Sequence, residues 1–302
     1  MNVNQVTAPS REETSSIASQ EQAVVFGAPQ ALVGVVAPGD RERPALLLLN
    51  AGVLHRVGAQ RMNVDLARAL GASSGLASLR FDLSGIGDSP PRADNLPFRE
   101  ASLQETIAAM DYMQSTEGQR TFVLVGLCSG ADQAFQVALR DERVVGCVLL
   151  DPYPYETPGF RVHRLLRPLR RAETWRRALR GEYGLVNRAR RIAERDASLP
   201  RPVDPGLAVR DVPPREEAER GFHTLLDRGT QVYVIFTAGQ LGTYNHEGQF
   251  RDMYPSLGAR TELKYTYFAQ ADHTFSVRAV RALLVEHVQR WADARWPGSG
   301  AR

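Results

Sequence analysis

At 302 residues, 43% of them apolar and 24% charged, the chain has material for one large folded domain, which excludes wholesale disorder and leaves little room for two full domains. The formal net charge of +3 is small for this length, and Lys264 is the only lysine, so the basic side is almost entirely arginine. Two cysteines, Cys128 and Cys147, exclude a disulfide framework and match a reducing compartment.

Residues 1–20 are polar and rich in Ser, Thr and Glu, a composition that buries too little surface to order itself, and are expected to form a loose, disordered tail. They carry no apolar run behind a basic start, and no stretch approaches 18 consecutive apolar residues. A cytoplasmic, unanchored protein without a membrane span is the expectation.

Two short β segments follow at 23–26 and 31–37, separated by Gly27 and Pro29 and closed by Pro38 and Gly39, the pattern of a hairpin. From residue 45 onward apolar strands alternate with helical segments, which predicts a parallel sheet covered on both faces. The strands are expected at 45–49, 76–81, 121–125, 144–150, 231–236 and 261–267, with helices at 61–70, 101–114, 131–140, 215–226 and 277–291. The fold class is thus α/β: a doubly wound, mostly parallel sheet of eight strands.

One crossover is far longer than the rest. About 80 residues separate the strands ending at Leu150 and beginning at Gln231, so residues 152–230 read as an insertion between core segments 21–151 and 231–295. It holds 17 arginines between Arg161 and Arg228, against 11 Asp and Glu between Pro152 and Gly229. Leu165, Leu166, Leu169, Trp175 and Leu179 recur among them at near-helical spacing, suggesting short amphipathic helices, and Pro200, Pro202, Pro205, Pro213 and Pro214 mark an irregular return.

The sharpest local pattern is Gly126-Leu127-Cys128-Ser129-Gly130, directly after one strand and before a helix. It has the G-x-nucleophile-x-G form in which small residues flank a sharp turn and the central side chain is thrust out at the strand tip. Cys128 rather than Ser129 fits the centre, because glycine lies two positions away on both sides, whereas Leu127 would crowd a turn centred on Ser129. The N-terminal end of the helix favours negative charge there. Cys147, inside the apolar run VVGCVLL, reads as a core residue.

Of six histidines, His273 in Ala271-Asp272-His273-Thr274-Phe275 lies past the last strand and before the final helix, where an imidazole can reach the turn. His163 and His223 fall in the insertion, His246 in a loop and His287 on the last helix. The acid orienting His273 is open between Asp151, at the end of the 144–150 strand, and Glu247, with Asn245 acting as an amide or no third member as further readings. The oxyanion donors expected are the backbone N–H of Ser129 and that of Gly52 or Val53 in the loop after the 45–49 strand. Gly85-Ile86-Gly87 lacks a third glycine, and His246-Glu247 lacks a second histidine, so neither a dinucleotide nor a zinc motif is present. No metal or organic cofactor is expected, and no nucleic-acid partner.

Together LLLLNAG, RFDLSGIGDS, GLCSGA and ADHTF resemble the α/β-hydrolase superfamily, in order and separation, from Ala45 to Trp291. Arg56-Val57-Gly58-Ala59-Gln60-Arg61, the cysteine turn and the segment from Trp175 to Glu182 look like the hydrolases associated with exosortase A systems. The resemblance implies a cap over the active site at residues 152–230, with Cys128 as nucleophile and His273 as base. The chain departs from the pattern in three places: Asn50 replaces a common histidine, Ser84 replaces a common arginine, and no carboxylate follows Phe236 where the acid usually lies. The chemistry implied is cleavage of an ester or thioester through an acyl-cysteine. Alternatives are transfer of that acyl group to an acceptor, or an editing thioesterase, and a hydrolase fold kept only for binding. The partner implied is a small-molecule or carrier-bound acyl substrate, and a homodimer is compatible with the sequence.

Overall fold

The computed structural model describes residues 20–166, 210–239, 243–258 and 260–297. The tail expected over residues 1–20 therefore lies, apart from Gln20, outside the described residues, as do Leu169, Trp175 and Leu179 of the insertion.

Eight strands form one sheet: β1 (Gln22–Phe26), β2 (Leu32–Ala37), β3 (Ala45–Leu48), β4 (Ser78–Phe81), β5 (Phe122–Leu127), β6 (Val144–Leu150), β7 (Gln231–Thr237) and β8 (Leu263–Phe268). Their order is β1-β2-β4-β3-β5-β6-β7-β8. The first two strands pair antiparallel as the expected hairpin, and β2 runs antiparallel to β4. Every other pair is parallel.

Burial on both faces explains why the central strands read as unbroken apolar runs. Along β5, Phe122 and Leu124 pack into one layer, with Val123 and Val125 in the other. The first layer is completed by α2 (Phe98–Glu117) through Met110 and Met113, by α3 (Ser129–Arg140) through Phe135, and by α5 (Arg215–Asp227) through Phe222 and Leu225. The second is completed by α1 (Met62–Ser74) through Leu66 and Leu70, and by α7 (Arg278–Asp293) through Leu284, Val288 and Trp291. Each large apolar side chain buried this way contributes about 1.5–3 kcal/mol, so both layers are needed to cover the two faces of the sheet.

Between β6 and β7 the described residues contain α4 (Pro158–Leu166), anchored by buried Phe160, and the approach from Arg210 into α5. A short helix α6 (Gln249–Met253) precedes β8. Among the described residues no helix is long and apolar enough to cross a membrane.

The chain leaves β3 for β4 on one side and later enters β5 on the other. Such a reversal opens a crevice at the carboxyl ends of the strands. The loop after β3 and the turn after β5 meet there.

Candidate active site

The turn after β5 owes its shape to two glycines. A Cβ on Gly126 would stand 2.1 Å from the Gly130 carbonyl oxygen, and one on Gly130 would stand 2.4 Å from that of Asn50. The missing Cβ of Gly126 lets the strand fold back tightly onto its helix, and that of Gly130 lets the helix start close against the end of β3. Cys128 at the apex has φ 57° and ψ −120°, a conformation side chains rarely adopt. The turn is tied down on both sides: the Cys128 N–H donates to Leu150 O at 2.8 Å, and the Cys128 carbonyl accepts from Ala131 and Asp132 N–H at 3.0 and 3.1 Å. The side chain is half-buried at the start of α3, where the first N–H groups have no partner within the helix.

His273 comes from the loop between β8 and α7. Asp272 fixes that loop by accepting from the backbone N–H groups of Thr274 and Ser276 and from the Thr274 hydroxyl, at 2.9, 3.1 and 3.0 Å. These bonds, that of the Ser276 hydroxyl foremost, hold the Asp272 carboxyl down to about 2. The loop after β7 packs so closely against it that a Cβ on Gly239 would stand 2.0 Å from His273 N. The imidazole is thereby set with Nδ1 2.7 Å from Asp151 Oδ2, while the ring also hydrogen-bonds the Cys128 sulfur.

Asp151 ends β6 with φ 47° and is fully buried. Its Oδ1 accepts the Thr237 N–H and its Oδ2 the Thr237 hydroxyl, both at 2.7 Å, so the last residue of β7 orients the carboxylate. Burial alone would pull the His273 imidazole down. The hydrogen bonds to Asp151 and Cys128, with their charges, outweigh it and raise the group to about 10. The ring is therefore held as an imidazolium between a carboxylate and a sulfur.

The other acid candidates lie elsewhere. Glu247 is exposed, and its carbonyl accepts the Tyr265 hydroxyl at 2.8 Å. Asn245 donates through Nδ2 to Phe160 O at 3.0 Å. His163 and His246 stack on each other, His223 bonds Ser256, and His287 bonds the Tyr233 hydroxyl. Cys147 is buried in the core, which pushes its thiol up to about 12.

In the loop after β3, Gly52 has φ 56° and its N–H donates to Ser129 Oγ at 2.8 Å, while Val53 is 89% exposed. The expected oxyanion donor Gly52 thus has an internal partner, the hydroxyl of the residue that follows Cys128. Buried Asn50 braces this loop, donating to Leu54 O and accepting from Leu83 N–H, each at 2.9 Å. Asp82 accepts from the Arg56 N–H and pairs with its guanidinium, which also reaches Asp88 at 2.6 Å. Arg56 supplies a cation to Asp82 where the sequence has Ser84 instead of arginine, and Ser84 turns to Glu105.

Two residues absent from the sequence reading complete the site. Arg210, in the proline-marked return of the insertion, places Nη1 3.5 Å from Cys128 Sγ, and Asp132 of α3 grips the same guanidinium at 2.5 and 2.6 Å. Both line a pocket beside the turn that continues to Phe98, Leu103, Gln133 and Tyr153. Among the described residues no group of three or more His, Cys, Asp or Glu side chains gathers to hold a metal ion.

The family model for the alpha/beta hydrolase fold matches residues 44–182. An esterase from Pyrococcus furiosus superposes with a TM-score of 0.59 at 13% identity, covering 99% of this chain and 98% of its own. A putative α/β-hydrolase from Agrobacterium tumefaciens gives 0.55 at 16% identity, over 91% and 96% of the two chains. A proline iminopeptidase-related protein from Thermus thermophilus gives 0.52 at 18%, over 92% and 99%. No curated protein matches this sequence.

Proposed function

We propose that this chain, which has the α/β-hydrolase fold, is a member of that superfamily and a cysteine-dependent hydrolase that cleaves an ester or thioester through an acyl-Cys128 intermediate. One observation carries the reading: a single imidazole, His273, bridges the sulfur at a bent strand tip and a fully buried carboxylate, Asp151. Nucleophile, base and orienting acid in that relation are the working parts of acyl transfer.

The proposed cycle starts from a Cys128 thiolate beside a His273 imidazolium. The sulfur lone pair forms a bond to the acyl carbon while the carbonyl π pair moves to oxygen. That oxyanion is received by the Ser129 N–H and by the Gly52 N–H, which exchanges the Ser129 hydroxyl for it. Collapse breaks the bond to the alcohol or thiol, which leaves with the proton of His273. The neutral imidazole then takes a proton from water, the hydroxide adds to the thioester, and the second collapse expels the Cys128 thiolate beside a restored imidazolium. Asp151 exchanges no proton in the cycle and holds the tautomer and the ring's orientation.

Thiolate is both a good nucleophile and a good leaving group, so the first adduct of an amide would return to reactants faster than it expels an amine. Activated esters, lactones and thioesters are accordingly the substrate class, and peptides are not. Residues 152–230 are read as a cap over the site; Arg210, on their return path, touching the nucleophile supports that placement. The kinship to exosortase-associated hydrolases is proposed on the motifs alone.

The test is a panel of p-nitrophenyl esters and acyl thioesters of varied chain length, with intact-mass trapping of the enzyme during turnover. An acyl adduct on Cys128, and loss of turnover by about three orders of magnitude or more in Cys128→Ala, are expected. Turnover that survives Cys128→Ala overturns the proposal. Product that forms only with an added alcohol or amine acceptor would assign transfer in place of hydrolysis.

A further inference from the structure

Beside the nucleophile stands a cation that the cycle above does not use. Arg210 precedes α5, and its side chain is 1% exposed. Asp132, one turn into α3, takes Nε at 2.5 Å and Nη2 at 2.6 Å, and Nη2 also reaches the Asp151 carbonyl oxygen at 3.4 Å. These partners occupy one edge of the guanidinium. The other edge, Nη1, faces Cys128 Sγ at 3.5 Å.

The arrangement is directional. A buried carboxylate four residues after a nucleophile would oppose negative charge on the sulfur if it stood alone. Burial does push Asp132 up to about 6, against the pull of Arg210. Gripped by Asp132, the guanidinium screens that carboxylate and presents its positive edge to the sulfur. If Arg210 served only to satisfy Asp132, Nε and Nη2 would suffice.

Among the described residues, the charged and titratable groups around the sulfur are His273, backed by Asp151, and Arg210, backed by Asp132 and Tyr153. The two cations differ in kind. His273 gives its proton to the leaving group midway through the cycle, whereas a guanidinium keeps its charge at every step. Among the described residues, the charge that persists beside the sulfur is therefore that of Arg210.

The neighbouring pocket argues against anion capture as the purpose. Among the described residues its other arginine, Arg99, is paired with Asp211, as Arg210 is with Asp132, so the described lining carries no net positive charge for a ligand.

We propose that Arg210 is a catalytic residue that stabilises the Cys128 thiolate, as nucleophile in acylation and as leaving group in deacylation; this rests on Cys128 being the nucleophile. No oxidant or cofactor enters, and no bond to Arg210 forms or breaks.

The experiment reads the thiol directly. Alkylation of Cys128 by neutral iodoacetamide is timed in the full-length protein and in Arg210→Ala, Arg210→Lys, Asp132→Asn and His273→Ala, with thermal melts to establish which variants are folded. Folded Arg210→Ala should react about tenfold more slowly at pH 7, with the gap narrowing as the pH is raised. Arg210→Lys should recover part of the rate, Asp132→Asn should fall between, and Arg210→Ala combined with His273→Ala should be slower than either. If Arg210→Ala does not fold, Arg210→Lys and Asp132→Asn carry the test through the same ordering. Alkylation at the unaltered rate in the folded variants overturns the proposal. So does a loss seen with anionic iodoacetate but not with iodoacetamide, which would assign Arg210 to anion recruitment. Failure of the hydrolase reading is separate: it would appear as no acyl adduct in the unaltered protein, whatever the alkylation rates.

Discussion

Asp151 Oδ2 and His273 Nδ1 lie 2.7 Å apart although 122 residues separate them, and the carboxylate comes from the end of β6 while the end of β7 contributes only Thr237. The carboxylate and the residue that orients it are thus divided between adjacent strands that are in register at Leu150 and Ile235. Because Asp151 is fully buried, every bond it makes bears on the imidazole.

Asp151→Asn should therefore lower kcat by about three to four orders of magnitude, since an amide in that place no longer dictates which ring nitrogen carries the proton. Thr237→Val, which removes one of the two bonds that Thr237 makes to the carboxylate while keeping the backbone N–H, should cost about tenfold. Glu247→Gln should change kcat/KM less than twofold. Steady-state kinetics on one activated ester checks all three, and a large loss in Glu247→Gln would refute the assignment.

The pH dependence of stability follows from His273. Its folded value, raised to about 10, lies above the ordinary histidine value near 6.5. Below about pH 6.5 both folded and unfolded chains hold the proton, and the stabilisation from Asp151 and Cys128 is complete. As pH rises toward 10 the folded state alone retains it, so the contribution declines across that window and is gone above it. Melting temperatures of the native protein and His273→Gln, measured from pH 6 to pH 10, should converge at the alkaline end. Parallel curves would contradict the linkage.

The turn glycines offer a structural control. Gly126→Ala and Gly130→Ala each place a Cβ within 2.4 Å of a backbone oxygen, where no side chain can yield, so both should be destabilised by about 3 kcal/mol or more and lose activity. Gly52→Ala meets nothing within 4 Å and carries only the cost of a left-handed residue, about 1–2 kcal/mol. Denaturant unfolding of the three variants ranks them, and an equal loss at Gly52 would show that the tight packing at the turn is not what its glycines protect.

Much of this was legible in the sequence, for local reasons. Strands buried on both faces read as apolar runs between turn residues, and the Gly-x-Cys-x-Gly turn, the histidine loop and a strand-ending Asp151 are short-range patterns. Boundaries drifted where caps decided them: the helix expected from Ala101 begins at Phe98, because Pro97 fits just ahead of a first turn that needs no N–H. Arg210 had no signal at all, since its contact with Cys128 depends on how a long insertion returns to the sheet. The same holds for Thr237 and for the Ser129 hydroxyl, whose partners are set by strand order and not by spacing along the chain.

Ser129 yields the last prediction. Its hydroxyl accepts the Gly52 N–H at 2.8 Å, so it competes with a substrate oxyanion for that donor. Removing one oxyanion donor costs about a hundredfold or more in kcat, whereas removing a competitor for it should cost nothing. Ser129→Ala should accordingly keep kcat/KM within about threefold of the native value, on the higher side, because the Gly52 N–H no longer has to exchange partners when the tetrahedral adduct forms. The backbone N–H of residue 129 is unchanged by the substitution and continues to serve. A tenfold or greater fall in kcat with unchanged KM would mean instead that the hydroxyl donates to the oxyanion itself, and the exchange at Gly52 would have to be abandoned.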